Sequence, residues 1–181
     1  RQRLAYDELL AHQLALARRR RARQITPGPR IVPGEASARL LAALGFDLTG
    51  AQSQAVAEIR RDLASGEQMG RLLQGDVGAG KTLVAFMALL IAVEAGGQGV
   101  MMAPTEILAR QHLEGLQPLA ESGGVVLEIL TGRDKGGERG AKLEALARGD
   151  IQILVGTHAV FQADVHFADL RLAIIDEQHR F

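Results

Sequence analysis

The 181-residue chain contains no cysteine and no tryptophan, and tyrosine occurs once. Without cysteine the chain cannot form a disulfide or a thiolate metal site, and it has no cysteine nucleophile, so nothing in it calls for an oxidising compartment. Aromatic side chains make up 3% of the residues. Stacking of bases on aromatic rings is therefore a poor way for this chain to hold a nucleic acid.

Long apolar runs are also missing. The longest, residues 82–93 and 99–104, fall short of the ~20 residues that span a bilayer, and the first residues lack the apolar region of a signal peptide. We expect a cytoplasmic protein without membrane-spanning segments. The hydrophobic content of 47% is normal for a globular core, and the length suits one domain with an appendage.

The net charge is zero, but the charges are unevenly distributed. Residues 1–30 have a balance of +6, which leaves −6 for residues 31–181. A cationic arm beside an acidic domain indicates an anionic partner such as nucleic acid. Leucines at three- and four-residue steps, followed by a run of arginines, predict a basic amphipathic helix over residues 1–24. Two interpretations stay open: the leucines dock on a neighbouring domain while the arginines are solvated, or the arginines contact DNA.

The remaining chain divides into a linker and a domain. Residues 25–36 are predicted to be a linker, because three prolines and two glycines between residues 25 and 34 exclude a regular element. Helices are predicted at residues 37–44 and 50–64, with Thr49 as the N-cap of the second. Strands are predicted at residues 71–73, 99–103, 125–130, 151–155 and 172–175, and further helices at residues 81–95, 106–120 and 138–148. This alternation predicts an α/β fold with a mostly parallel sheet that helices cover on both faces.

The strongest chemical pattern lies between the first predicted strand and the helix after it. Residues 75–82 match the phosphate-binding P-loop, G-x-x-x-x-G-K-[ST]. The candidate nucleotide-binding residues of this loop are Gly75, Gly78, Ala79, Gly80, Lys81 and Thr82. Backbone N–H groups of such a loop surround a phosphate, the lysine neutralises the β/γ oxygens, and the threonine hydroxyl binds Mg²⁺. An ordinary glycine-rich turn is the alternative, and the full match with a strand before and a helix after it argues against that.

Two carboxylates follow the last predicted strand. Asp176 and Glu177 stand where ligands collect in a parallel sheet, at the carboxyl end of a strand. We expect Asp176 to hold Mg²⁺ and Glu177 to polarise the water that attacks the γ-phosphate. Alone, such a pair is more often solvated surface; together with a P-loop it indicates a nucleotide hydrolase.

Residues 176–181 read Asp-Glu-Gln-His-Arg-Phe and resemble the D-E-x-H box of superfamily 2 nucleic-acid translocases, which have a RecA-like fold. Other segments are similar to further motifs of that superfamily: residues 46–52 to the Q motif, 103–112 to motif Ia, 130–133 to motif Ib and 155–160 to the T-H box. The resemblance implies that Gln52 reads the adenine edge, that Phe46 stacks on the adenine, and that His179 couples the nucleotide site to DNA.

Six residues are candidate DNA contacts because they lie just past predicted strand ends or in a first helical turn. They are Thr105, Arg110, Thr131, Arg133, Thr157 and His158. Hydroxyls, backbone N–H groups and arginines at such places hold phosphates without reading bases, as a translocase requires. Taken singly, each could also be a helix-capping threonine or a surface arginine. Arg133 stands where the family motif has serine, which adds positive charge at that point.

Within the superfamily, residues 103–112, 155–160 and 176–181 are similar to the RecG family of bacterial ATP-dependent DNA helicases. The transcription-repair coupling factor shares the P-loop sequence, but Glu106 and His179 favour RecG. The resemblance implies an ATP-dependent motor that uses Mg²⁺, translocates on double-stranded DNA and remodels branched DNA at stalled forks and Holliday junctions.

The resemblance also implies a division of the molecule. Residues 37–181 would be the first RecA-like motor domain, incomplete at its C-terminus, and residues 1–24 the helix that connects it to a wedge domain. The wedge domain and the second RecA-like domain are expected outside these residues, and we expect a monomer. The alternative from another functional class is an ATP-gated nucleic-acid-binding switch. Motifs Ia, Ib and the T-H box favour the translocase.

Overall fold

The computed structural model describes residues 10, 13–14, 27–32, 34 and 47–177. Most of the predicted basic helix and all of the helix predicted at residues 37–44 lie outside the described residues. The same is true of two predicted site residues, Phe46 and His179. In the described part of the chain, no helix is both long and apolar enough to cross a membrane.

Two helices come first, and from residue 81 to residue 175 helices and strands alternate. The elements in chain order are α1 (Gly50–Ala64), α2 (Lys81–Glu94), β1 (Gln98–Met102), α3 (Glu106–Gly123), β2 (Leu127–Leu130), α4 (Gly136–Arg148), β3 (Ile153–Gly156), a 3-10 helix (His158–Phe161) and β4 (Leu170–Ile175). The strands form one sheet in the order β2-β3-β1-β4, and every pairing is parallel. This confirms the α/β fold with a parallel sheet.

The strands end at the same edge of the sheet. Met102, the last residue of β1, pairs with Gly156 at the end of β3 and with Ile175 at the end of β4. Leu130 at the end of β2 also pairs with Gly156. Residues that follow these four strands therefore lie along one line, the carboxyl edge of the sheet, where α/β proteins collect their ligands.

The two faces of the sheet are covered unequally. Helices α1, α2 and α3 form a large core with one face, in which Leu89, Leu90 and Ile91 of α2 are completely buried. On the other face, Leu146 of α4 forms a smaller core with residues of β1, β2 and β3. Among the described residues, strand β4 has cover on one face only, and its Ile175 is 49% exposed. The prediction that helices cover both faces holds for three of the four described strands.

The strand predicted at residues 71–73 is wrong. Residues 68–76 have no regular structure, and Leu72 is 65% exposed. Arg71 is instead held by α1, because its guanidinium lies 2.5 Å from a carboxylate oxygen of Glu58 and 2.8 Å from one of Asp62. Three residues with an arginine at one end have too little apolar surface to form a strand on their own. They would need backbone hydrogen bonds to a neighbouring strand.

Residues 27–32, within the predicted linker, lack regular structure but are hydrogen-bonded to the C-terminal end of α1 and the turn after it. The amide of Gly28 donates to the carbonyl of Gly66 at 2.9 Å, and the amide of Ile31 donates to the carbonyl of Leu63 at 2.9 Å. The side chain of Ile31 is 1% exposed and belongs to the main core. This segment is thus packed on the domain that follows it.

Candidate functional site

The P-loop has the backbone geometry that its glycines predict. Gly78 and Gly80 both adopt positive φ angles, 81° and 75°, a conformation that other residues adopt only with strain. Gly80 is also the N-cap of α2, and the amides of Lys81 and Thr82, in the first turn of α2, have no acceptor among the described residues. Such amides and the positive end of the helix dipole form a site for an anion.

Lys81 points back over the loop that precedes it. Its ammonium nitrogen donates to the carbonyl oxygens of Gly75, at 2.7 Å, and of Asp76, at 2.8 Å. An ammonium group has three hydrogens, so one remains for a ligand after these two bonds. The lysine is thereby fixed at the loop, where it can meet a phosphate oxygen.

Gln52 connects the start of α1 to the P-loop. Its side-chain oxygen accepts from the amide of Thr49 at 2.9 Å, which completes a capping box with the Thr49 hydroxyl. Its side-chain nitrogen donates to the carbonyl of Ala79 at 3.0 Å. A Cβ atom at Gly80 would collide with this amide group. Gln52 therefore lies against the loop. Phe46, which is predicted to stack on the same adenine, lies outside the described residues.

The chain path brings the P-loop to the carboxyl edge of the sheet. Only three residues separate α2 from β1, and the helix packs against β1 and β4, so it runs antiparallel to them. The first residue of α2, Lys81, is then at the edge where β1 and β4 end. Asp176 follows β4 directly, and its amide donates to the carbonyl of Met102 at 2.8 Å.

The carboxylate of Asp176 has a partner that the sequence did not predict. The ring nitrogen Nε2 of His112, on α3, lies 2.7 Å from its Oδ2 atom. The two side chains are 12% and 27% exposed and are separated by 64 residues in the chain. Because an ionised carboxylate only accepts hydrogen bonds, Nε2 carries the hydrogen in this contact.

Glu177 has an unusual backbone. Its φ angle of 51° is the only positive φ of a non-glycine residue among those the structure describes. A side chain in this conformation carries strain of roughly 1 to 2 kcal/mol. Strain of this kind concentrates at functional sites, where it fixes the direction of a side chain.

The oxygen donors at this edge fit magnesium bound together with a nucleotide. Mg²⁺ in such sites takes one or two protein oxygens and completes its shell with phosphates and water. The Thr82 hydroxyl and the Asp176 carboxylate are donors of this type. The described residues contain no group of three or more His, Cys, Asp or Glu side chains that could hold a metal without a nucleotide.

Two of the predicted DNA contacts share one carboxylate. Arg110 donates to Oε1 of Glu106 at 3.0 Å, and Arg133 lies 3.1 Å from Oε2 of the same residue. The side chains of Arg110 and Arg133 are 52% and 81% exposed, whereas that of Glu106 is 22% exposed. Thr105, the N-cap of this helix, is exposed beside them. The structure thus brings Thr105, Arg110 and Arg133 together.

Thr131 is held inside its own loop. It is 1% exposed, and both its amide and its hydroxyl donate to Oδ2 of Asp134, at 2.6 and 3.1 Å. Lys142 donates to the other oxygen of Asp134 at 2.8 Å. Burial raises the pKa of Asp134, but the bonds from Lys142 and Thr131 outweigh it and hold the pKa below its ordinary value. A phosphate contact by the Thr131 side chain would require this loop to open.

The last two predicted DNA contacts differ in exposure. Thr157 is 7% exposed and is the N-cap of the 3-10 helix, and His158 after it is exposed. Both follow β3 at the carboxyl edge. His158 is therefore accessible to a ligand, whereas Thr157 can contribute mainly through the backbone around it.

The family model for the DEAD/DEAH box helicases matches residues 49–181, which is most of the chain. The chain belongs to the DEAD/DEAH box helicase family. Membership implies that this helicase domain binds ATP, in agreement with the P-loop.

Individual relatives extend the likeness over the whole chain. The helicase chain is 49% identical over 180 residues to ATP-dependent DNA helicase RecG of Escherichia coli O157:H7 and 49% identical over 183 residues to that of Bacillus subtilis (strain 168). These matches cover 99% and 100% of this chain but 26% and 27% of the relatives. A solved structure of RecG bound to a three-way DNA junction matches with a TM-score of 0.86 and 44% identity, over 99% of this chain and 25% of that one.

The predicted resemblance to RecG is therefore confirmed, and the chain spans about a quarter of the length of the relatives it matches. The RecG structure also confirms the RecA-like helicase fold.

Sequence reasoning missed His112. His112 is the last residue of the segment that resembles motif Ia, residues 103–112. The signal was available: Ala109, Leu116 and Ala120 are buried in the core, and His112 occupies the same helical stripe at three- and four-residue steps. A histidine within the apolar stripe of a helix needs a hydrogen-bond partner.

Proposed function

We propose that residues 37–181 form the first RecA-like domain of an ATP-dependent translocase on double-stranded DNA, which remodels stalled forks and Holliday junctions in recombination and repair. The observation that carries the proposal is the shared edge of the sheet. That edge holds the P-loop and Asp176. It also holds two exposed arginines, Arg110 on α3 and Arg133 in the loop after β2. The similarity to RecG, one example of which is bound to a three-way DNA junction, supports branched DNA as the partner.

The chain's own residues divide the work of ATP hydrolysis. The P-loop amides bind the phosphates, and Lys81 neutralises the β/γ oxygens. Thr82 and Asp176 would hold Mg²⁺, which withdraws charge from the phosphate oxygens. Glu177 accepts a proton from the attacking water while the water oxygen bonds to the γ-phosphorus. The bond between the γ-phosphorus and the bridging oxygen breaks at the same time, which releases ADP. Gln52 and Phe46 would contact the adenine.

The DNA contact is proposed to lie on the phosphate backbone. Thr105, Arg110, Arg133 and His158 offer a hydroxyl, two guanidinium groups and an imidazole at exposed positions, which suits a motor that must grip any sequence. His179 would couple this surface to the nucleotide site.

The test uses substitutions in the full-length protein. Lys81→Ala should abolish unwinding of a synthetic fork, because the phosphates lose their cation. Glu177→Gln should retain ATP binding but trap the nucleotide, because the attacking water loses its base. Glu114→Gln serves as the matched control and should behave as the wild type, because Glu114 is exposed on α3.

The DNA dependence of ATP hydrolysis distinguishes a motor from a switch. A translocase hydrolyses ATP faster when duplex DNA is present. ATP turnover that ignores DNA, or normal unwinding by the Lys81→Ala variant, would contradict the proposal and favour an ATP-gated binding switch.

A further inference from the structure

The contact between His112 and Asp176 is not explained by packing alone. A histidine in the sheet-facing stripe of α3 could have been satisfied by any carbonyl or water. Its Nε2 atom instead lies 2.7 Å from the carboxylate that the proposed function assigns to magnesium. No other side chain bonds to this carboxylate among the residues that the structure describes.

The chemistry of the contact is that of an orienting hydrogen bond. The Nε2–H group occupies one position on Oδ2 of Asp176 and leaves Oδ1 to accept from other donors or to face a cation. Groups that hydrogen-bond to a ligand in this way fix its direction, and their loss commonly weakens metal binding about 10- to 100-fold. With both side chains mostly buried, the bond has little competition from water.

The position of His112 also connects the proposed DNA-contacting turns of α3 with the proposed nucleotide site. Helix α3 begins with the ion pair of half-buried Glu106 and exposed Arg110, and it carries His112 two residues later on its inner side. Any displacement of the first two turns of α3 therefore moves the group that holds Asp176. A rigid helix with DNA contacts on one face and an active-site contact on the other is a short physical connection between the two ligands.

We propose that His112 is a positioning residue, which orients the Asp176 carboxylate for the magnesium–nucleotide complex and connects it to the DNA-contacting turns of α3. The inference rests on the proposed function, since it takes Asp176 as a magnesium ligand. His112 itself does not touch the nucleotide.

The test measures binding rather than turnover. A fluorescent, non-hydrolysable ATP analogue is bound to the full-length protein while MgCl₂ is titrated. His112→Ala and His112→Asn, whose side chains are too short to reach Asp176, should raise the Mg²⁺ concentration at half-saturation by about 10-fold or more. His112→Gln retains an N–H donor of similar reach and should stay near the wild type. The neighbouring, exposed Gln111→Ala is the control.

Further measurements separate positioning from stability. A purely structural role would lower the unfolding temperature of the two short variants without moving the Mg²⁺ midpoint, and that result overturns the proposal. In an Asp176→Asn background, His112→Ala should have no additional effect on the midpoint. Fork DNA should shift the midpoint of the wild type but not that of His112→Ala; an equal shift in both would disprove the link to α3.

The same titration distinguishes a failure of the His112 role from a failure of the proposed function. If the wild type binds the analogue in a Mg²⁺-dependent way and His112→Ala has the same or a lower midpoint, only the role of His112 is refuted. If the wild type shows no Mg²⁺-dependent nucleotide binding, the proposed function itself fails.

Discussion

At the scale of single residues, Glu106 holds both arginines that the sequence assigns to DNA. Its carboxylate lies within 3.1 Å of Arg133 and 3.0 Å of Arg110 and competes with any phosphate for them. Glu106→Gln should therefore strengthen DNA binding roughly 2- to 5-fold, the range expected for an exposed ion pair. It should also make binding more sensitive to salt, because both arginines are then available to release counterions.

Fluorescence anisotropy with a labelled fork at several salt concentrations measures this effect. Glu114→Gln removes the same charge from an exposed position of the same helix and controls for the general change in potential. An affinity that falls in Glu106→Gln but not in Glu114→Gln would mean that Glu106 holds the arginines in place, contrary to the prediction.

Glu177 provides a second test at this scale, because its backbone favours glycine. Inside helices and strands, alanine is more stabilising than glycine by about 0.5–1 kcal/mol. At a φ of 51° the order should reverse, so that Glu177→Gly is more stable than Glu177→Ala by about 1 kcal/mol. Urea unfolding of the two variants measures the difference. An alanine variant as stable as the glycine variant would show that the strain is absent.

Contacts between residues close together in the chain leave a local pattern in the sequence, whereas contacts between distant residues do not. The capping box of Thr49 and the bonds of Lys81 to its own loop join residues three to six positions apart. His112 and Asp176 are 64 residues apart, and Glu106 and Arg133 are 27 apart. Local spacing contains no information on such pairs until the sheet order is known.

At the scale of elements, helix boundaries were predicted better than strands. Helix α1 was predicted at residues 50–64 and spans Gly50–Ala64, because its cap and stop residues are local signals. A strand also needs a neighbour. Residues 71–73 have no ladder partner among the described residues, whereas the similarly short β3 is completely buried between β1 and β2.

The turn after β2 is closed by an ion pair whose effect on stability depends on pH. The pKa of Asp134 lies below its ordinary value of 3.8, so its ionised form stabilises the fold. A group with a lowered pKa contributes fully above its unfolded pKa, and the contribution is lost as the pH falls through the folded value. The stability difference between wild type and Asp134→Asn should be constant above about pH 5 and shrink in more acidic solution.

Lys142 determines the pH above which the same ion pair stops stabilising the fold. Burial lowers its pKa, but its contacts with Asp134 and Glu128 outweigh this, and the pKa is raised above its ordinary value of 10.5. Its contribution is complete below that value and is lost as the pH rises through the folded pKa. Chemical denaturation at a series of pH values measures both limits. An acid stability profile that is identical in wild type and Asp134→Asn would contradict the assignment.

At the scale of the whole molecule, the described helices cover the sheet incompletely. One face of β4 exposes Ala173 and Ile175, next to the proposed catalytic carboxylates. The sequence pattern could not predict this, because an apolar strand predicts burial but does not say which element supplies it. The relatives are about four times as long as this chain.

Residues 1–181 should bind ATP without hydrolysing it rapidly. We propose that a second RecA-like domain, outside these residues, supplies an arginine to the γ-phosphate, a contribution worth ~10³-fold or more in phosphoryl transfer. Residues 1–181 alone should then bind ATP through the P-loop but hydrolyse it at least ~10³-fold more slowly than the full-length protein with DNA. Single-turnover hydrolysis, with nucleotide binding measured in parallel, tests this. Rapid DNA-stimulated hydrolysis by residues 1–181 would place the whole catalytic set within them and remove the need for a second domain in the chemical step.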